Sequence, residues 1–380
     1  MLRILSIDKT AGLAASHERH QAMAQQPEVE LHVLGPRRWI ENGRDVIWRP
    51  PADLAYTPHF GAVFFKDYYA RAGYYSGLCR ALHRSQPDVI QLFEEPWSIA
   101  AWQTVTAARM LAPQAKILFY TWENIYRPWV YPSRASRLYA FIDKKLHQVS
   151  TGAICATHGA KDVLLQKGYR KPIAVIPYGI PDFFFPTGDE PQNPERSFTI
   201  GYVGRLLFMK GIDLLSAATA AMPDSRLLLV GSGEEESKFR ALAQQLGISD
   251  RVEWLPPLAE ERIPEILRRM DVFVLPSRRT EGWMEQLGRV AIEAMAVGVP
   301  VIGARSGAIP EVLGDAGLVF DENSVDDLIR QITFLRDHPE ERRRLRRAGQ
   351  ARSREYFTWS RFAAQICAFY RTLDGVQDVS

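Results

Sequence analysis

The sequence predicts an α/β protein of two doubly wound parallel-sheet domains, and three observations carry that prediction. Short runs rich in Val, Ile and Leu alternate with helix-period segments along nearly the whole chain. The 380 residues exceed the usual extent of one domain, about 100–200 residues. The stretch 186–196, PTGDEPQNPER, carries three prolines and almost no apolar side chain, and the alternation restarts beyond it. It is the best linker in the chain.

In the first half, Arg3–Ile7, Val29–Leu34, Asp88–Leu92, Ile117–Tyr120, Gly152–Cys155 and Ile173–Ile176 read as strands, apolar nearly throughout. Helices are expected near His17–Gln25, Tyr68–His83, Ser98–Leu111, Arg137–His147 and His158–Lys167. Ligands of such sheets lie at the carboxyl ends of the strands. The residues to watch are therefore Asp8-Lys9-Thr10-Ala11-Gly12, Phe93-Glu94-Glu95-Pro96 and Thr121-Trp122-Glu123-Asn124.

After the linker, strands are expected at Phe198–Val203, Arg226–Val230, Val252–Leu255, Val272–Leu275, Val299–Gly303 and Leu318–Phe320. Helices are expected near Ile212–Met222, Glu235–Leu246, Glu261–Arg269, Leu287–Val297, Val325–Arg336 and Glu340–Tyr356, and an amphipathic segment, Trp359–Leu373, closes the chain. Two such domains put a cleft between the carboxyl ends of their sheets, a setting for a two-substrate enzyme.

Composition excludes several classes. With 47 basic and 44 acidic side chains the net charge is only +3, so bulk electrostatics do not point to nucleic acid. Cys79, Cys155 and Cys367 are odd in number and widely spaced, which fits a reducing cytosol better than a disulfide or metal framework. No stretch approaches the roughly 20 apolar residues that cross a bilayer. The expectation is a soluble or at most peripheral protein.

The chemistry concentrates in SRRTEGWMEQLGRVAIEAMAVGVPVIG, from Ser277 to Gly303. Leu287, Val290, Ala291, Ala294 and Met295 form one apolar stripe, which places a helix start near Gly288. A strand, a polar loop and a helix N-terminus in succession make a place to bind an anion. Glu285 falls in the loop and Glu293 in the second turn, roughly 10–12 Å apart at 1.5 Å rise per residue. That span suits the two ends of a nucleotide-sugar with its diphosphate between them. Glu281 is no rival for the first position, since its eighth residue onward is Arg289.

The second domain opens with GYVGRLLFMKG, in which Gly204 and Arg205 end a strand and Lys210 precedes Gly211 and a helix. Two cations in such a loop can clamp a diphosphate, Arg bidentately and Lys as a point charge. Alone, the loop reads more readily as a solvated turn with two surface charges. The Glu285–Glu293 segment in the same sheet reverses that preference. Gly231-Ser232-Gly233 lacks the third glycine of a dinucleotide fingerprint and reads as a tight turn.

These residues, Glu285 through Ala296 with Gly204-Arg205 and Lys210-Gly211, resemble the retaining glycosyltransferases of family 4. Val175–Gly179 and the helix after Tyr356-Phe357 match as well. The resemblance covers the second domain well and the first loosely. It implies a GT-B fold of two facing Rossmann-like domains with an interdomain cleft. The acceptor-side domain would span 1–185, the donor-binding domain 197–357, and the helix at 358–374 would pack back on the first.

The resemblance also implies roles. Arg205 and Lys210 would neutralise the donor diphosphate and the departing nucleotide, Glu285 would contact hydroxyls of the transferred sugar, and Glu293 would hold the ribose. Leu287, Gly288 and Arg289 would offer backbone N–H groups, and Gly204 and Gly12 would let backbone approach the donor. No cofactor or metal is expected, since Arg, Lys and the helix dipole replace a divalent ion; the sequence has no Asp-x-Asp and no clustered His. The expected partners are a UDP- or GDP-sugar donor and a glycan or lipid-linked acceptor, with peripheral membrane contact and no nucleic acid. The expected setting is the cytoplasm, at the inner face of the membrane, in polysaccharide or glycoconjugate synthesis.

Two departures from the family pattern bear on the site. Glu123 stands where many members carry a histidine, and Glu94-Glu95 replace a segment that commonly holds His or Asp. A subgroup carries similar Glu-Glu-Pro-Trp and Trp-x-Asn segments, which implies a variant active site with Glu123 as a catalytic candidate. Ala11-Gly12-Leu13 replaces a Gly-Gly pair. Two other function classes stay open: a nucleotide-sugar epimerase or hydrolase of the same fold, and a non-catalytic donor-binding homologue.

Two basic clusters read first as solvated faces, Arg342–Arg347 and the group Arg134, Arg137, Lys144 and Lys145 beside Tyr139 and Phe141. The sharper reading for both is contact with anionic lipid.

Overall fold

The computed structural model describes residues 1–41, 44–51, 53–66, 71–74, 76–126, 136–186 and 197–373. The linker positions 187–196 and Arg134 lie outside them. The chain divides into two compact units, Met1–Gly179 with Trp359–Ser380, and Ile180–Thr358.

The first unit runs β1 (Leu2–Ile7), α1 (Ala14–Ala24), β2 (Val29–Pro36), a hairpin β3 (Arg38–Glu41) and β4 (Arg44–Ile47), β5 (Thr57–Gly61), and a short pair β6 (Val63–Phe64) and β7 (Gly73–Tyr74). It continues α2 (Leu78–Ser85), β8 (Val89–Leu92), α3 (Ile99–Leu111), β9 (Lys116–Thr121), α4 (Ser136–Val149), β10 (Gly152–Cys155), α5 (His158–Gln166) and β11 (Ile173–Val175). The main sheet is parallel, in the order β11-β10-β9-β8-β1-β2-β5. Its order reverses between β1 and β8.

Both faces of this sheet are covered, which is why its strands are apolar throughout. Alternate residues feed two cores: Leu5, Ile90 and Phe119 pack on one face with Leu82, Leu146 and Leu164. Ile4, Val89 and Leu118 pack on the other with Met23 and side chains from the end of the chain.

The second unit contains β12 (Phe198–Val203), α6 (Ile212–Ala221), β13 (Ser225–Val230), α7 (Glu236–Gln245), β14 (Val252–Leu255), α8 (Ile263–Leu267), β15 (Val272–Leu275) and α9 (Arg289–Val297). β16 (Val301–Ala304), α10 (Ile309–Leu313), β17 (Leu318–Phe320), α11 (Val325–Asp337) and α12 (Pro339–Tyr356) complete it. Its parallel sheet has the order β14-β13-β12-β15-β16-β17. That is the 3-2-1-4-5-6 order of a Rossmann domain, with its switch point between β12 and β15. The last helix, α13 (Trp359–Thr372), joins the first unit: Phe362, Ile366 and Tyr370 enter the second of its cores, and the Tyr370 hydroxyl donates to Gln91 Oε1 at 2.9 Å.

Four expectations need correction. The first unit ends at Gly179 rather than 185, because Ile180 donates to the Phe357 carbonyl at 2.8 Å and bridges Thr358 within the second unit. Of the helix expected at Tyr68–His83, positions 68–70 and 75 lie outside the described residues, and among the described ones the helix is Leu78–Ser85. Gly77 before it has φ +89°, a Cβ there would lie 2.5 Å from the Phe60 carbonyl, and Gly73–Tyr74 is a strand. β5 escaped notice because Pro58 and His59 give it no apolar pattern. It is fixed by pairing with β2, where His59 meets His32 at 2.9 Å. Finally, α9 is not amphipathic: Ala291 through Val297 are all buried, since α12 covers the side turned from the sheet.

Candidate functional site

The second unit's site is built where its sheet order reverses. β12 is followed by Gly204, whose φ of +154° only glycine adopts comfortably, and the next residue, Arg205, is exposed. The Tyr202 hydroxyl donates to the Arg205 carbonyl at 2.9 Å. The Gly-x-Gly turn after β13 packs on this loop: Leu206 N–H donates to the Ser232 carbonyl at 2.9 Å. A Cβ at Gly231 would stand 1.9 Å from the Gly204 carbonyl, and one at Gly233 2.1 Å from that of Leu206. Those glycines are there for close backbone approach, a role their spacing signalled and the turn reading passed over.

The chain then tightens into a 3₁₀ turn, Phe208–Lys210, closed by Gly211 at φ +72°. A Cβ on Gly211 would lie 2.2 Å from the Pro276 carbonyl, and Arg278 N–H donates to the Met209 carbonyl at 2.9 Å. The loops after β12 and β15 are thus zipped together, and Lys210 meets Glu285: Nζ lies 2.7 Å from Oε2. Ser277 Oγ donates to the same oxygen at 2.8 Å, and the ammonium stands 4.3 Å from the Trp283 ring centroid. The Glu285 carbonyl accepts from Ala308 N–H at 3.1 Å, and Gly307 at φ +54° permits that approach. Ser277, Trp283 and Gly307 are site residues that spacing did not reveal.

Gly288 caps α9 in the left-handed region, φ +71°, with no side chain bonded to the cap and no acid in the first turn. The first N–H groups of α9 are therefore free of any side-chain cap, the arrangement that receives an anion. Leu287 is buried beside it. Arg289 pairs with Glu293, Nε to Oε1 at 2.9 Å, and with Glu260. Burial pushes the Glu293 carboxyl above its ordinary range while Arg289 pulls it back. The structure thus assembles Gly204, Arg205, Lys210, Glu285, Leu287, Gly288, Arg289 and Glu293 in one unit.

Gly12 and Glu123 belong to the other unit. Gly12 lies on the loop after β1, where a Cβ would meet Val46 and Trp48 at 3.0–3.2 Å. Glu123 follows β9 and pairs with Lys167, which also holds Asp143 at 2.9 Å. Beside it Glu95 accepts from Thr121 Oγ1 at 2.7 Å and Trp122 N–H at 3.0 Å. Burial, then the Glu123 charge, push the Glu95 carboxyl up to about 7.

A raised carboxyl favours the folded state when protonated. The gain is complete below its ordinary value of 4.5 and is lost as pH rises through about 7. Glu95→Gln should remove that dependence. Its thermal midpoint relative to wild type is expected to improve steadily between pH 4.5 and 7. A constant difference across that window would show that Glu95 does not titrate there.

Two parallel-sheet units, the second with Rossmann order and a cation–carboxylate pair at its switch point, define a GT-B protein. Residues 188–352 match the family described as Glycosyl transferases group 1. The D-inositol 3-phosphate glycosyltransferase of Segniliparus rotundus is 32% identical over 216 residues, 52% of this chain and 46% of that one. The GDP-mannose-dependent monoacylated alpha-(1-6)-phosphatidylinositol monomannoside mannosyltransferase of Corynebacterium glutamicum is 39% identical over 162 residues, 41% of this chain and 42% of its own. The match thus spans less than half the length of these two curated relatives.

Over the whole fold, sucrose-phosphate synthase from Thermosynechococcus elongatus superposes with TM-score 0.71 at 20% identity, covering 99% of this chain and 100% of that one. Anabaena HepE, solved with UDP, gives 0.70 at 17%, covering 98% and 100%. Over its whole length the chain has the GT-B fold, and the match to Glycosyl transferases group 1 lies within its second unit. Among the described residues no helix is long and apolar enough to cross a membrane, and no three His, Cys, Asp or Glu side chains cluster as metal ligands.

Proposed function

We propose that this chain transfers a sugar, with retention, from a UDP- or GDP-sugar to a glycan or lipid-linked acceptor in glycoconjugate synthesis. The observation that carries this reading is the Lys210–Glu285 pair beside the uncapped start of α9, at the switch point of a Rossmann sheet. Arg205 and Lys210 neutralise the diphosphate, Glu285 binds hydroxyls of the transferred sugar, and Glu293 takes the ribose. No metal or cofactor is required, because these cations and the helix N-terminus stabilise the leaving nucleoside diphosphate. The acceptor is received by the first unit, where Gly12 and Glu123 are the candidate contacts. The enzyme works in the cytoplasm, with peripheral contact at the inner membrane face, and takes no nucleic acid.

A panel of UDP- and GDP-sugars in a thermal-shift assay tests donor binding. A donor at 100 times its Kd stabilises by about 2.7 kcal/mol. Transfer to glycan and lipid extracts, followed by anomeric analysis of the product, tests the reaction. Isomerisation or hydrolysis of the donor without an acceptor would overturn the transferase reading.

A further inference from the structure

We propose that the outward face of α2, α3 and α4 in the first unit docks on an anionic lipid bilayer. α3 packs between α2 and α4 on one side of the sheet. Among the described residues of these three helices the only acid is Asp143, and it is buried. The exposed cations therefore meet no carboxylate on this layer: Arg80 and Arg84 on α2, Arg109 on α3, Arg137 and Lys144 on α4.

Large apolar side chains stand among these cations. Met110 is 71% exposed, Leu138 51% and Phe141 49%. Phe141 meets the Trp102 ring edge-on at 5.7 Å, with the Lys145 ammonium 5.8 Å from its own ring centroid. A groove of about 440 Å³, lined by Tyr74, Leu78, Trp102 and Met110, opens between α2 and α3. Tyr139, which the sequence grouped with Phe141, is buried and takes no part.

Charge decides the occupant. A second copy of this face would set cations against cations, which opposes self-association. An anionic surface complements the cations, while Phe141, Leu138 and Met110 reach the boundary between headgroups and acyl chains. The arginine run on α12 is a poorer candidate. Arg342 caps the carbonyls of Leu335 and Arg336, and Arg344 grips Glu341 with Nη2 to Oε1 at 2.6 Å. Those charges are committed within the second unit.

This assignment rests on the peripheral-membrane part of the reading above, so it is tested with the full chain and neither donor nor acceptor. Sedimentation with phosphatidylcholine vesicles, with and without phosphatidylglycerol, measures it. Binding is expected only with phosphatidylglycerol and is expected to weaken as salt rises. Arg137→Glu with Lys144→Glu, and separately Leu138→Ser with Phe141→Ser, should each cut partitioning at least about tenfold. Arg109→Glu with Met110→Ser on α3 serves if either α4 pair unfolds.

Equal binding to both vesicle types, or wild-type partitioning by folded variants, would overturn the assignment. A concentration-dependent dimer abolished by the same substitutions would overturn it in favour of a protein interface. Thermal shift by nucleotide-sugars, measured on the same variants, separates this failure from failure of the transferase reading.

Discussion

Lys210→Met should slow sugar transfer about 10²–10³-fold, the loss that follows removal of one preorganised electrostatic group from a transition state. In the proposed reaction the ammonium would face the charge that develops on the leaving diphosphate, and in the ligand-free chain Glu285 holds it at 2.7 Å. Both side chains are largely withdrawn from water, at 14% and 12% exposure. Removing Lys210 therefore takes the ammonium from Glu285 Oε2 and should also destabilise the chain, by about 1–3 kcal/mol. A mutant cycle separates the two effects. In Lys210→Met with Glu285→Gln the stranded charge is gone, so the thermal midpoint should recover part of its loss, while turnover should not recover. Folded Lys210→Met with wild-type turnover would remove Lys210 from the mechanism.

The contrast between legible and illegible parts of this molecule follows from the range of the forces involved. Strands such as Phe198–Val203 and Val272–Leu275 could be read because a doubly covered parallel sheet demands uninterrupted apolar runs. Gly288 and Gly204 could be read because one stands where an apolar helical stripe begins and the other where an apolar strand run stops, places where the chain turns. The partners of Glu285 could not. Ser277 shares its loop, but Lys210 and Ala308 arrive from loops after two other strands, and nothing in local spacing announces them. The burial of Ala291 through Val297 in α9 was hidden for the same reason, since α12 covers the helix from some fifty residues downstream. Charges were the least legible class. The sequence offered Glu94, Glu95 and Glu123 as three similar acids, and the fold gave each a different cation or donor.

Glu94 received the most consequential of these partners, and Lys9→Met should give the largest loss of stability available from one side chain here. Lys9 follows β1 and Glu94 follows β8, so the pair spans the point where the first sheet reverses its order. Nζ lies 2.7 Å from Oε2 and both side chains are wholly inaccessible to water. Removing one member strands a charge in that interior and should cost about 3–5 kcal/mol, a large part of the 5–15 kcal/mol typical of a folded domain. Lys9→Met with Glu94→Leu should recover most of that loss, because the two desolvation costs vanish together.

Glu94→Gln alone gives a sharper test through pH. Burial lowers the proton affinity of Lys9, and Glu94 is its first counterweight. Without that carboxylate burial lowers the proton affinity of Lys9 further, with the Asp8 charge as the remaining counterweight. A folded value depressed below the ordinary 10.5 contributes stability that is present at high pH and lost as pH falls. The Glu94→Gln midpoint should therefore climb toward wild type as pH is raised from neutral toward 10.5. A deficit that stays constant over that range would mean that the cost of Glu94→Gln is packing and not a stranded ammonium.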